Sequence, residues 1–229
     1  MSIDLLKKEV FIKMVYFILF LLLANITGIV FKFYVGHDYI YGLVPLFDFD
    51  AEKNIPTLYS SFAIIIASMF LAVIALAQKK QRESWVPWIG LSVIFLFLSI
   101  DEVASIHERL VEPVRETLNT SGLLYFAWVI PYGGAVGIFF ICYLKFLIDL
   151  PRKIMILFVA SGLIFVSGAI GFELLGGMHV ELYGRENIIY SIYYTCEEFL
   201  EMIGIATFIY ALLSYITHKS TSFTLTIGK

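Results

Sequence analysis

The chain has 229 residues, of which 60% are hydrophobic and only 15% are charged, and its formal net charge is −3. A water-soluble domain usually carries about 25% charged residues, so this composition excludes an ordinary soluble globule. Disorder is excluded as well, because the chain is apolar and nearly neutral. The apolar residues fall in long runs, which predicts an all-α, polytopic integral membrane protein.

Six apolar runs are long enough to cross a hydrocarbon core of about 30 Å, which takes roughly 20 helical residues. They predict one transmembrane domain, residues 1–229, built as a bundle of six transmembrane helices. The predicted spans are residues 12–34, 57–78, 85–107, 123–148, 154–176 and 187–217. The first run is too long for the apolar part of a signal peptide and lacks a cleavage site, so we expect an uncleaved helix.

Basic residues in short loops mark the cytoplasmic side of a membrane protein. The turns at residues 79–82 and 151–153 are basic, and more lysines lie near both ends of the chain. We therefore expect both termini to be cytoplasmic, in a plasma or inner membrane. On this topology the cytoplasmic side has 11 basic and 4 acidic residues, and the extracytoplasmic side has 5 basic and 15 acidic residues.

A dense group of ionisable residues lies at the end of the third predicted span. Its members are Asp101, Glu102, His107 and Glu108. If the helix continues to the break expected at Pro113, then Asp101, Ser105 and Glu108 share one helical face. A carboxylate at the centre of a spanning helix costs roughly 2.5–3.5 kcal/mol, so such residues are functional candidates by default.

Further acids lie inside the fifth and sixth predicted spans. Glu173 is near the outer end of the fifth span, and Glu197, Glu198 and Glu201 are inside the sixth. Counted at 1.5 Å per helical residue, all of them reach the same outer half of the membrane as Asp101. Like charges at this spacing repel, so the group needs a cation, a basic partner or a shared proton. We expect one shared polar site.

Two neighbouring groups are less informative. His179 is placed in an outer loop after Glu173, where it is a further candidate metal ligand. The acids Asp48, Asp50 and Glu52 fall in a predicted loop, and we interpret them as ordinary solvated side chains.

These residues favour a membrane-embedded metalloprotein, and an enzyme within that class. We predict Glu102 and Glu201 as catalytic acids or bases. The predicted metal ligands are Asp101, His107, Glu108, Glu173, Glu197, Glu198 and His179. Carboxylates with one or two imidazoles suit iron, manganese or zinc better than copper(I). Iron would indicate oxidation of a lipid-like or amphipathic substrate, and zinc would indicate hydrolysis of one.

The main alternative is a transporter or channel in which the same acids bind a cation or relay protons. A sensor or assembly factor with an acidic outer face is a third possibility. The sequence contains no H-E-x-x-H, G-x-S-x-G or phosphate-binding glycine motif. Its basic residues are concentrated in the inner loops, which gives nucleic-acid binding no support. We therefore expect membrane lipids as its surroundings, while the oligomeric state stays open.

Overall fold

The computed structural model of the protein describes residues 3–219, and within that range every regular element is a helix. Nine α-helices follow one another within these described residues. They are α1 (Ile3–Val30), α2 (Leu43–Phe47), α3 (Ile55–Lys80), α4 (Val86–Ala104), α5 (Val111–Leu118), α6 (Val129–Asp149), α7 (Arg152–Val166), α8 (Glu173–Tyr183) and α9 (Ile188–Lys219).

Six helical stretches of the described chain are long and apolar enough to cross a membrane, which confirms the prediction of an all-α bundle with six spans. They are Leu6–Val35, Ile55–Lys80, Val86–Ala104, Val129–Asp149, Arg152–Tyr183 and Ile188–Lys219. The starts of two helices follow from local sequence. The Asn54 side chain accepts a hydrogen bond from the Thr57 amide and caps α3, and Asn187 caps α9 through the Tyr190 amide.

The fifth span is longer than its sequence pattern predicts. Helices α7 and α8 are joined without a break by a π-helical segment, Ser167–Phe172. His179 therefore lies within helix α8, and its predicted place in a loop was wrong. A π-helical turn widens the backbone locally and is frequent at functional sites.

The third span ends earlier than predicted. Helix α4 stops at Ala104, and Ser105 takes a left-handed conformation with φ 49° and ψ 48°. The expected helical face through Asp101, Ser105 and Glu108 was therefore wrong, because the chain turns before it reaches Glu108. The break expected at Pro113 was also wrong. This proline lies in the first turn of α5, where no intrahelical N–H is lost.

Helix α9 lies at the centre of the bundle and packs against α1, α3 and α7. Helix α9 approaches the fifth span closely because glycine residues lie where the two helices cross. A Cβ at Gly204 would lie 2.9 Å from the Phe165 backbone nitrogen. Small residues allow such close helix approach in membranes. Helix α3 is joined to α4 by hydrogen bonds between the buried pairs Ser61–Ser99 and Ser68–Ser92.

The bundle has a polar end and an apolar end. At the apolar end the rings of Trp88, Phe158, Phe208 and Tyr215 form one packed group with Leu212. Trp88 and Tyr215 have ring centroids 4.5 Å apart, and Phe158 and Phe208 have centroids 4.9 Å apart. At the other end, the segments between α1 and α3, between α4 and α6, and between α8 and α9 come together around the acidic residues.

Candidate metal centre

A cavity of about 390 Å³ opens at the polar end of the bundle, within the size range of small-molecule sites. Its wall comes from the loop before α3, the turn after α4, the segments between α5 and α6 and between α8 and α9, and helices α5, α8 and α9. The ionisable residues in the wall are Asp50, Glu52, His107, Glu108, Glu112, Glu173, Glu197 and Glu198, with Arg109, Arg115 and Arg185.

Three of these side chains form a group that we call the triad: Glu52, His107 and Glu108. Each offers one ligand atom, and these atoms all lie within 4.8 Å of one another. The Oε2 atom of Glu52 is buried and has no hydrogen-bond partner. A buried acceptor left unpaired is costly unless an ion or a proton satisfies it. Two carboxylates and an imidazole at this separation form a donor set suited to a divalent cation.

His107 is held in place by Asp101, which lies in the last turn of helix α4. The Asp101 carboxylate accepts a hydrogen bond from the His107 amide at 2.9 Å, and its other oxygen lies 3.3 Å from Nδ1 of the imidazole. The Tyr132 hydroxyl donates to the same carboxylate at 3.1 Å. The Trp128 ring packs against the imidazole, with centroids 4.8 Å apart. Because Asp101 occupies Nδ1, Nε2 is the nitrogen available to a metal.

Glu52 reaches the cavity because its loop is tied to three helices. The buried Asn25 of α1 accepts a hydrogen bond from the Phe49 amide at 3.0 Å and donates to Thr195 of α9 at 2.9 Å. Asn54 donates to the Asp48 carbonyl at 2.6 Å while it caps α3. The interpretation of Glu52 as a solvated loop acid was therefore wrong.

Asp50 lies beside Glu52 in the cavity wall and is exposed. It accepts a hydrogen bond from the Tyr190 hydroxyl at 2.8 Å. This bond joins the loop to α9 at the level of the cavity, next to the α9 acids.

Helices α8 and α9 supply the opposite wall. Glu173 accepts a hydrogen bond from the Trp128 indole at 2.6 Å and is also hydrogen-bonded to Glu197. Two carboxylates this close need a proton or a cation between them. The π-helical segment brings Glu173 near Glu197, since a Cβ at Gly168 would lie 2.6 Å from the Glu197 carbonyl oxygen.

The other residues predicted from the sequence have different positions. Glu102 and Glu201 do not line the cavity. They interact electrostatically with each other, with Glu52 and with the cavity acid Glu198. His179 lies outside the cavity wall, and its Nε2 is 2.7 Å from the side-chain oxygen of Asn187.

The electrostatics of the triad favour a bound proton or cation over bare charges. Burial raises the pKa of the Glu52 carboxyl, and the neighbouring Glu108 carboxylate raises it further. Burial alone would lower the pKa of His107. The hydrogen bond and charge of Asp101 outweigh that effect, so the pKa of His107 lies above its ordinary value.

The family model described as Domain of unknown function (DUF8692) matches residues 14–215 of the chain. The chain belongs to this family. No curated protein and no solved structure matches it. The matched DUF8692 region includes every residue of the cavity wall and all six spans in whole or large part, so the candidate metal centre lies inside the family domain.

Within the DUF8692 domain, Glu52 is the site residue that sequence reasoning missed. Two weak signals in the sequence point to Glu52. It lies two residues before Asn54, which caps α3, and it belongs to the excess of acids on the predicted extracytoplasmic side. Neither signal separates Glu52 from its neighbours, because an acid in a loop is usually solvated.

Proposed function

We propose that this protein is a membrane-embedded metalloenzyme, with a divalent metal bound by Glu52, His107 and Glu108. The observation that carries the proposal is the convergence of these three ligand atoms within 4.8 Å of one another, on the wall of a cavity. The unpaired buried oxygen of Glu52 supports it. Iron, manganese and zinc are the metals that suit this donor set.

The proposed substrate is lipid-like or amphipathic. The cavity lies at one end of six apolar helices, so a molecule with a polar head and an apolar tail can place its head in the cavity and its tail in the membrane. Helix α6 favours this arrangement, because six of its large apolar side chains are exposed. Glu102 and Glu201 remain the proposed acids and bases of the reaction. The proposed site faces the extracytoplasmic side.

The packing of the apolar end favours an enzyme over a transporter. Phe208 lies seven residues, or about 10 Å, beyond Glu201 along α9. There it stacks on Phe95 at 4.6 Å and joins the packed rings of Trp88 and Tyr215. A cation leaving the acids toward this end would meet the apolar side chains of this packed group. The acidic group therefore resembles a closed site more than a pathway.

Elemental analysis of the purified full-length protein tests the proposal. Wild-type protein should carry iron, manganese or zinc in stoichiometric amount after dialysis, and His107→Ala and Glu108→Gln should lose it. His179→Ala is the matched control, since this histidine lies outside the cavity and should leave the metal content unchanged. Folded wild-type protein that takes up none of the three metals contradicts the proposal.

A flux assay separates the enzyme from the transporter. Wild-type protein in proteoliposomes should show no cation-driven flux. A flux that Glu201→Gln abolishes would assign the acidic residues to transport instead.

A further inference from the structure

The cavity has basic residues as well as acids, and they are concentrated at its rim. We call Arg109, Arg115 and Arg185 the arginine rim; all three line the cavity. The topology expected from sequence leaves five basic residues on this side of the membrane, and three of the five are in the rim.

Two of the rim residues are supported by aromatic rings. The Arg115 guanidinium lies 4.5 Å from the centroid of the Tyr125 ring, and the Arg185 guanidinium lies 5.2 Å from that of the Phe126 ring. Tyr125 and Phe126 are themselves in contact, with centroids 5.4 Å apart. A guanidinium stacked on a ring keeps its N–H donors in one plane, available for two parallel hydrogen bonds to an anion.

The charge of Arg185 acts on the Asp50 carboxylate at longer range, but the rim arginines form no direct ion pair with an acid of the cavity. Among residues 6–219, whose side chains the structure describes, no carboxylate lies within 4.0 Å of a nitrogen of Arg109, Arg115 or Arg185. Several carboxylates line the same cavity, and those of α8 and α9, Glu173, Glu197 and Glu198, are less exposed than Arg109 and Arg185. A ligand that bridges both groups needs an anionic part at the rim and a metal-binding or reactive part beneath it.

We propose that the arginine rim binds a phosphate group on the head of an amphipathic substrate. Phosphate matches the fork of donors that arginine presents and can accept from more than one guanidinium. The inference rests on the proposed function, because it names the head group of the lipid-like substrate. The head enters the cavity beside the triad, and the apolar tail remains at the level of the surrounding helices.

The test is calorimetric titration of the full-length protein in phosphatidylcholine nanodiscs, with empty nanodiscs as the blank. The probes are dihexanoyl phosphatidate, inorganic phosphate and dihexanoylglycerol, which lacks the phosphate. Wild-type protein should bind dihexanoyl phosphatidate more tightly than either other probe, by about tenfold or more. Equal affinity for dihexanoylglycerol overturns the phosphate site. Equal affinity for inorganic phosphate overturns the lipid-like substrate, because the tail then contributes nothing.

The rim is tested with the double variant Arg115→Gln/Arg185→Gln, which should weaken phosphatidate binding by about tenfold or more. Arg109→Gln should weaken it as well, and this exposed side chain has no packing role that could unfold the protein. Arg152→Gln is the matched control, since Arg152 is exposed at the opposite end of the bundle. Unchanged affinity in both rim variants overturns the proposal.

Metal analysis of the same samples keeps the two proposals distinguishable. The rim variants should retain their metal while they lose phosphatidate, and His107→Ala should lose its metal. If wild-type protein binds phosphatidate through the arginines but binds no metal, the metalloenzyme proposal fails and the phosphate site stands. If metal binds but the rim variants keep their affinity for phosphatidate, the phosphate site fails alone.

Discussion

His107 and His179, both at the polar end, show how a single hydrogen-bond partner decides the chemistry of a side chain. The imidazole of His107 meets the buried carboxylate of Asp101, and that of His179 meets the amide of Asn187. A carboxylate partner orients the ring and increases its basicity, which makes it a better metal ligand. An amide does neither to the same extent. His107 therefore suits metal binding, and His179 suits a structural role at the start of α9.

Asp101→Asn tests this difference. The amide keeps the shape of the side chain but removes the negative charge beside Nδ1. We expect affinity for the metal to weaken by about 10- to 100-fold, as is usual when the partner of a metal-binding histidine is altered. Metal titration of dialysed protein measures the change.

Tyr132→Phe is the matched control for Asp101→Asn. It removes one hydrogen bond to the same carboxylate and leaves the charge in place. It should weaken metal binding by less than about tenfold. Equal effects of the two substitutions would show that the Asp101 charge does not support the histidine.

At the scale of elements, the site depends on how the fifth span meets α9. The π-helical segment Ser167–Phe172 immediately precedes Glu173 and lies against α9 at the level of Glu197 and Glu201. This contact requires a residue without a side chain at Gly168. The loop that carries Glu52 is a second such element, because Asn25 connects it to α1 and α9. The two elements bring Glu173 and Glu52, which are distant in sequence, to the wall of the same cavity.

Gly168→Ala should destabilise the protein by about 1–3 kcal/mol, because its Cβ would overlap the Glu197 carbonyl oxygen and the Glu201 side chain. Gly171→Ala lies in the same π-helical segment, but its Cβ would meet nothing within 4 Å, so it should change stability by less than about 0.5 kcal/mol. Thermal unfolding in one detergent compares the two. A smaller loss of stability for Gly168→Ala than for Gly171→Ala would exclude this contact as a determinant of packing.

For the whole molecule, the distribution of polarity has one physical cause. Water and a bound ion can stabilise carboxylates at the end where the loops converge, and the packed rings of Trp88, Phe208 and Tyr215 exclude them from the other end. The basic turn at residues 79–82 lies at this apolar end. Because basic residues in short loops mark the cytoplasmic side, the cavity at the other end is predicted to face the extracytoplasmic side.

Accessibility of introduced cysteines tests this orientation. In a chain carrying Cys142→Ala and Cys196→Ala, Ser121→Cys should react with a membrane-impermeant maleimide in intact cells. Ser84→Cys should react only after the membrane is opened. Both serines are exposed, and neither substitution changes the charge of the chain. The opposite pattern of labelling would place the cavity in the cytoplasm.

The sequence by itself determined the class of the protein, its six spans and the importance of acids such as Asp101 and Glu198. A long apolar run crosses a membrane as an α-helix, because a helix satisfies its own backbone hydrogen bonds. A carboxylate inside such a run is easily recognised, because its burial in the membrane costs free energy. Only the tertiary structure decided which side chains meet. Glu52 lies 55 residues before His107 in a polar loop, and local sequence does not distinguish it from a solvated acid. The turn at Ser105 and the hydrogen bonds of Asn25 and Asn54 bring the two together, since these contacts depend on helices that are distant along the chain.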